Sequence, residues 1–310
     1  MPAITEEIVY TTSEDGFLLE GLRIQPGSEP TNDRPLAAIV LIHGNAGRFY
    51  DYPYVSVGRA LAGAGHTVIS ANTRGHDISA FLWRAAGGRP TPWESPQGMP
   101  VGAGSGWDAL AETSRDLAAW VDLAESECAT GKVVLVGHSS GAQRVVLYQA
   151  ERQDRRVAGL VLASPDLTGF MPAGQLAEAQ RMVAEGRGME VLPAQAFAPW
   201  YRQSAESVAG RNAVLSRMLE SADDTPATIA RVTCPILALY GTKEPGGAQG
   251  MLQMIQARAT AAAGVETRLI EGADHIYSGL EEDLARTIAG WIAERGAGSS
   301  MDHMVDPDME

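Results

Sequence analysis

Residues 36–42 (Leu-Ala-Ala-Ile-Val-Leu-Ile) are an unbroken apolar run, the pattern of a strand covered on both faces. Short apolar runs at 67–71, 133–136, 157–163 and 236–240, and a further strand expected at 266–270, are separated by stretches of helical periodicity. Those helices are expected at 53–63, 107–125, 140–152, 249–262 and 280–294. Alternation of this kind predicts an α/β fold, a mostly parallel central sheet with helices on both faces. Ahead of it, 7–12 and 17–24 read as strands joined by the turn sequence Ser13-Glu14-Asp15-Gly16, an antiparallel hairpin, and a Pro/Asn/Asp-rich loop fills 26–35.

Two stretches break the alternation. Residues 74–106 are rich in Gly and Pro and hold Trp83 and Trp93, which predicts a long loop of the kind that covers a site. Residues 166–232 show helical periodicity at 175–186 and 205–219 and no convincing strand, so a helical cap insertion is expected there. The chain then divides into a core of 1–165 and 233–295, a cap of 166–232, and a tail of 296–310 that lacks an apolar face and is expected to be disordered. No internal repeat is found.

Composition narrows the partners. A chain of 310 residues with 45% hydrophobic content can bury one large core. The net charge of -14 argues against nucleic acid and anionic lipid, and weakly favours a neutral or cationic small-molecule substrate. Cys128 and Cys234 have neither disulfide-framework nor zinc spacing and are expected to be buried thiols, so neither metal nor cofactor is called for. A basic leader and a run of membrane-spanning length are both lacking, so no membrane span is expected and a cytoplasmic location follows by default.

The chemistry sits at three strand ends. Gly137-His138-Ser139-Ser140-Gly141 is a G-x-S-x-G sequence between a buried strand and a helix, the context of a nucleophile elbow. Such a turn brings the residues two before and two after the serine together, so Gly137 and Gly141 remove side chains that would collide. Ser139 then lies in strained backbone at a helix start, where unpaired N–H groups and the dipole favour developing negative charge. His43-Gly44-Asn45-Ala46-Gly47 follows the strand 36–42 and can present a backbone N–H beside the elbow. Asn45, with Ala46 second, is expected to complete an oxyanion hole with the N–H of Ser140. His43 reads as a brace for its loop, and His138 as a spacer whose side chain packs nearby.

His275, in Glu271-Gly272-Ala273-Asp274-His275 after the last expected strand, is the best-placed general base; His66, His76 and His303 lack such placement. A third group must accept the ring N–H of His275. Glu244, in the loop after 235–240, gives the order Ser139, Glu244, His275; Asp166 is the rival from another strand end, and Asp274 is too close in sequence to reach around to the ring.

Together the His-Gly loop, the elbow and the Gly-x-Asp-His loop resemble the α/β-hydrolase superfamily over most of 36–294, in its serine esterase and lipase-like branch. The resemblance implies Ser139, Glu244 and His275 as the catalytic triad, an oxyanion hole from Asn45 and Ser140, and a helical lid in the insertion. Glu244 departs from the commoner Asp, though the pattern also admits Glu. A serine at the elbow favours acyl transfer over the alkyl-enzyme route of relatives that carry a carboxylate there. The expected activity is hydrolysis of a carboxylic ester, thioester or lactone. Carbon–carbon bond hydrolysis or a cyclisation by the same triad, and a non-catalytic ligand receptor on the same fold, stand as alternatives. Trp83, Trp93, Met99, Phe197, Trp200 and Tyr201 are the residues of loop and cap available to line an apolar pocket or simply to pack.

Overall fold

The computed structural model describes residues 3–27, 37–85, 98–167, 172–193, 201–222, 224–244 and 247–299. The strands of the main sheet are β1 (Ile4–Thr12), β2 (Leu18–Pro26), β3 (Ala37–Ile42), β4 (Val68–Ala71), β7 (Lys132–His138), β8 (Val157–Ala163), β9 (Ile236–Gly241) and β10 (Val265–Ile270). Between β4 and β7 lie two further strands, β5 (Ala80–Ala85) and β6 (Gly98–Ala103). The helices are α1 (Tyr52–Gly63), α2 (Thr113–Glu125), α3 (Ser140–Arg152), α4 (Ala173–Ala184), α5 (Ala205–Leu215), α6 (Ala248–Arg258) and α7 (Glu281–Ser299).

The sheet has eight strands in the order β1-β2-β4-β3-β7-β8-β9-β10. From β4 to β10 every pairing is parallel, and β1 and β2 add an antiparallel edge. The apolar runs are explained by the two faces they cover. In β3, Ala38, Val40 and Ile42 face the core shared with α2 and α3, while Ala37, Ile39 and Leu41 face the core shared with α1 and α7. The strands β7, β8 and β9 divide in the same way. Both edges carry charge instead, with Glu6 and Glu7 on β1 and Glu266 and Arg268 on β10, which discourages pairing with another sheet.

Because the chain leaves β3 in one direction for β4 and returns to build β7 to β10 on the other side, β3 and β7 are neighbours at a reversal of strand order. Loops at the carboxyl ends of such a pair diverge and leave a crevice.

Several expected elements differ. Within 74–106 the structure holds an antiparallel ribbon, β5 with β6, rather than loop alone. Pro100 on β6 hid it from the sequence, since Pro is excluded from central strands but tolerated on an edge strand, and among the described residues β6 pairs with β5 alone. The helix expected from Trp107 begins only at Thr113, after a short 3₁₀ turn at Leu110–Glu112, with Asp108 drawn aside into an ion pair with Arg144. The helix expected over 249–262 stops at Arg258, and that over 205–219 stops at Leu215. Residues 296–299, assigned to the tail, continue α7, because backbone hydrogen bonding extends a helix without needing an apolar face. The remainder of the tail, with His303, and Trp93, Phe197 and Trp200 lie outside the described residues, as does the side chain of Met99.

Between β8 and β9, α4 and α5 pack on each other around Ala179, Met182, Leu192, Ala205 and Val208. Ser204 caps α5 by accepting from the Ser207 N–H. Among the described residues no helix is long and apolar enough to cross a membrane.

Candidate active site

At the end of β7 the backbone turns at Ser139, whose φ of 53° and ψ of -120° lie in a strained region for a residue with a side chain. The turn is as tight as the two glycines suggest. A Cβ on Gly137 would overlap the Gly141 carbonyl, and one on Gly141 would overlap the carbonyl of Ile42 at the end of β3. The elbow and the loop after β3 are therefore pressed together, and a Cβ on Gly44 would stand 3.2 Å from the Cβ of Ser139.

Three residues distant in sequence meet here. Ser139 Oγ lies 3.1 Å from His275 Nε2, and His275 Nδ1 lies 2.8 Å from Glu244 Oε2. The His275 side chain is 48% exposed and that of Glu244 only 6%, so the ring is open to a ligand while its carboxylate is sheltered. The hydrogen bond to Glu244 raises the His275 pKa above the ordinary histidine value, against a smaller opposing effect of burial. Burial alone would raise the Glu244 carboxyl; hydrogen bonds from His275, Ser164 and the Gly241 N–H outweigh it and hold the group low. The close approach of the two loops again depends on a glycine, since a Cβ on Gly241 would overlap the Ala273 carbonyl.

The ring nitrogens of His275 meet Glu244 and Ser139 rather than either rival acid. Asp274 Oδ1 accepts from the Ile276 and Ser278 amides and caps a turn. Asp166 lies just past β8, where its N–H donates to the Ser139 carbonyl at 3.3 Å and its own carbonyl accepts from Gln143. The ring nitrogen of His275 faces Glu244.

On the other side of Ser139, the Gly44 carbonyl accepts from the Gly47 N–H and Ala46 adopts a φ of 55°, a turn with left-handed backbone at its third position. Among the described residues, the amides of Asn45, Ala46 and Ser140 have no main-chain partner. His43 is a brace, as expected: its Nε2 accepts from the Thr73 N–H at 3.1 Å, so Nδ1 carries the proton and donates to the Gly44 carbonyl at 2.7 Å. Burial pushes its pKa down to about 3, which keeps it neutral.

His138 does more than space the elbow. Tyr54 of α1 accepts from the Gly44 N–H at 2.7 Å and donates to His138 Nδ1 at 3.0 Å, and His138 Nε2–H donates to the His275 carbonyl at 2.7 Å. This relay ties the loop after β3 to the loop that carries His275. Burial holds both links neutral, lowering His138 to about 4 and pushing Tyr54 up to about 12. Ser164, just past β8, was also not singled out from the sequence. Its Oγ lies 2.6 Å from Glu244 Oε1 and 2.8 Å from Tyr277 Oη. Its one proton goes to the carboxylate, leaving Tyr277 to donate to Ser164.

Of the apolar candidates, Tyr201 reaches the site, donating from Oη to Asn45 Oδ1 at 2.9 Å, whereas Trp83 stands 41% exposed on β5. His66 and His76 lie elsewhere, His76 bonded to the Thr73 carbonyl. Cys128 is buried and Cys234 partly so, both as free thiols. Among the described residues no cluster of His, Cys, Asp and Glu has the makings of a metal site.

Residues 39–289 match the Alpha/beta hydrolase family. No curated protein sequence matches the chain. Among solved structures it is similar to Est1E from Butyrivibrio proteoclasticus with ferulic acid bound, at 17% identity and a TM-score of 0.63, over 93% of this chain and 99% of that one. The esterase Pf2001 of Pyrococcus furiosus is also similar, at 17% identity, a TM-score of 0.55, and coverage of 94% and 93%. A dienelactone hydrolase from Anabaena variabilis matches at 14% identity and a TM-score of 0.52, over 94% of this chain and 98% of that one. At such identities the likeness speaks for the fold.

Proposed function

The chain belongs to the alpha/beta hydrolase family and is an enzyme of that class; from this premise we propose that it is a serine hydrolase cleaving a carboxylic ester, thioester or lactone through an acyl-serine. The observation that carries the reading is the unbroken contact from Ser139 Oγ to His275 Nε2 and from His275 Nδ1 to Glu244 Oε2. Oxygen, imidazole and carboxylate in that order are what nucleophilic acyl transfer requires.

In the proposed reaction His275 Nε2 takes the Ser139 proton as Oγ bonds to the substrate carbonyl carbon. The carbonyl oxygen becomes an oxyanion, held by the amide of Ser140 and that of Asn45, groups that are not engaged by other main-chain carbonyls among the described residues. His275 then gives the proton to the leaving oxygen or sulfur as the carbon–heteroatom bond breaks. Water enters, loses a proton to the same imidazole and attacks the acyl-enzyme; collapse returns the proton to Ser139 and releases the acid. Glu244 fixes the tautomer and balances the imidazolium, and Ser164 with the Gly241 amide holds Glu244. Residues 166–232 act in this reading as a cap over a small to medium, largely apolar substrate. The esterase Pf2001 among the structural relatives favours the same activity.

A fluorophosphonate probe is expected to label the wild type at Ser139 and to leave Ser139→Ala unmodified. On a panel of acyl esters of graded length, with lactones and thioesters included, Ser139→Ala is expected to lose at least about 10³-fold in kcat. Equal slow turnover by wild type and variant across the whole panel would overturn the reading, and reversible ligand binding without labelling would point to a receptor.

A further inference from the structure

Arg211 on α5 stands where the insertion meets the elbow. Its Nη1 lies 3.2 Å from Asn45 Oδ1 and its Nη2 3.1 Å from Gln143 Oε1. Asn45 belongs to the loop after β3, and Gln143 lies one helical turn beyond Ser139 on α3, so the guanidinium spans the two elements that flank Ser139. Both anchors are themselves fixed, Asn45 by Tyr201 Oη and Gln143 by the Asp166 carbonyl.

Both anchors are also neutral. Among the described residues no carboxylate lies within ion-pair distance of Arg211, whereas Arg181 and Arg187 of the same insertion each pair with glutamates. A guanidinium has five N–H donors, of which the two amides take two. A partly buried cation held rigidly, with donors to spare and no counter-charge, gains a great deal from an incoming anion.

We propose that Arg211 recognises a carboxylate carried on the acyl part of the substrate. The inference rests on the serine-hydrolase reading and narrows its substrate class to acyl groups of dicarboxylic type. A planar carboxylate matches the fork of the guanidinium, and its single negative charge is balanced by the single positive one. A phosphate dianion would be left half-compensated. The side of the substrate follows from the proton path. A leaving group must receive its proton from His275 and so lies toward the cleft of about 520 Å³ that His275 lines with Met251, Met254, Asp166 and Glu244. Two carboxylates there disfavour an anionic leaving group, while Arg211 sits on the Asn45 side.

The test uses 4-nitrophenyl half-esters of glutaric, adipic and pimelic acid, each against the neutral ester in which an isopropyl group replaces the terminal carboxylate, with uncatalysed rates subtracted. The wild type at low salt is expected to favour at least one half-ester over its neutral match by about 10-fold or more in kcat/KM. Arg211→Met is expected to lower that ratio about 10- to 100-fold, the range for losing a charge-assisted hydrogen bond, and Arg211→Lys to restore part of it. Should Arg211→Met fail to fold, the wild type decides alone, since 1 M salt is expected to compress the ratio. A wild-type ratio at or below one at every chain length, a ratio unmoved by Arg211→Met, or one unmoved by salt overturns the proposal. Fluorophosphonate labelling reads the parent reaction separately. A labelled Ser139 without anion preference sinks only the role of Arg211, and Ser139→Ala hydrolysing both esters like the wild type sinks both.

Discussion

In the proposed reaction Glu244 determines when His275 can act as a base. Its hydrogen bond raises the pKa of the imidazole, and only the neutral ring can take the Ser139 proton. The acid limb of kcat/KM against pH should therefore lie above the ordinary histidine value, with activity lost as pH falls through it. Glu244→Gln removes the charge that raises the pKa and leaves the burial that lowers it. The limb is expected to move to more acidic pH while the plateau falls by about 10² to 10⁴-fold. A plateau lost with no movement of the limb would mean that Glu244 positions the loop without acting on the ring. At this scale the sequence was legible as placement, since identity and spacing put Ser139, Glu244 and His275 at strand ends that the fold brings into contact. It was not legible at Tyr54, Ser164 or Arg211, because a tyrosine on one helix or an arginine on another acquires meaning only from the loop it touches.

Among the elements, the elbow and the last helix use glycine in opposite ways. Gly137 and Gly141 stand where any Cβ would overlap backbone, from Gly141 and from Ile42 respectively, and backbone cannot swing aside as a side chain can. Gly290, inside α7, has nothing within 4 Å of where a Cβ would stand. Gly141→Ala is expected to leave little folded, active protein, whereas Gly290→Ala should stabilise by about 0.5–1 kcal/mol, the helix-interior difference between the two residues. Urea melts of the two variants beside wild type measure this, and a fully stable, active Gly141→Ala would show that the elbow can relax. The sequence foretold the glycines of the elbow because a motif fixes their role. It could not foretell the β5–β6 ribbon, whose proline and glycines read as loop until the free edges of a two-stranded sheet are known.

Over the whole molecule, total charge and the local field of a single cation act at different ranges. A net charge of -14 weakly favoured a neutral or cationic substrate, yet beyond about a Debye length such charges are screened, while a cation in contact is not. In its proposed role Arg211, in contact with the substrate, would outweigh that average. A buried arginine on α3 shows what holding the crevice costs the fold. Arg144 on α3 pairs with Asp108, ahead of α2, with side-chain exposures of 1% and 2%, and Arg144 Nη1 donates to Thr113 Oγ1 at 3.1 Å. The pair joins the helix that begins at the elbow to the segment approaching α2. Yet Asp108 Oδ1 and Arg144 Nε lack hydrogen-bond partners, so the desolvation of both charges is incompletely offset. Removing one partner strands the other in the interior, and Arg144→Met or Asp108→Leu should each cost about 3–5 kcal/mol. For a domain whose total stability is about 5–15 kcal/mol, that is a large share. Replacing both with apolar residues, Arg144→Met with Asp108→Leu, leaves no orphaned charge and should recover most of the loss. Chemical denaturation of the four proteins closes the cycle: a double variant as unstable as the sum of the singles would show that the two charges do not act as a pair.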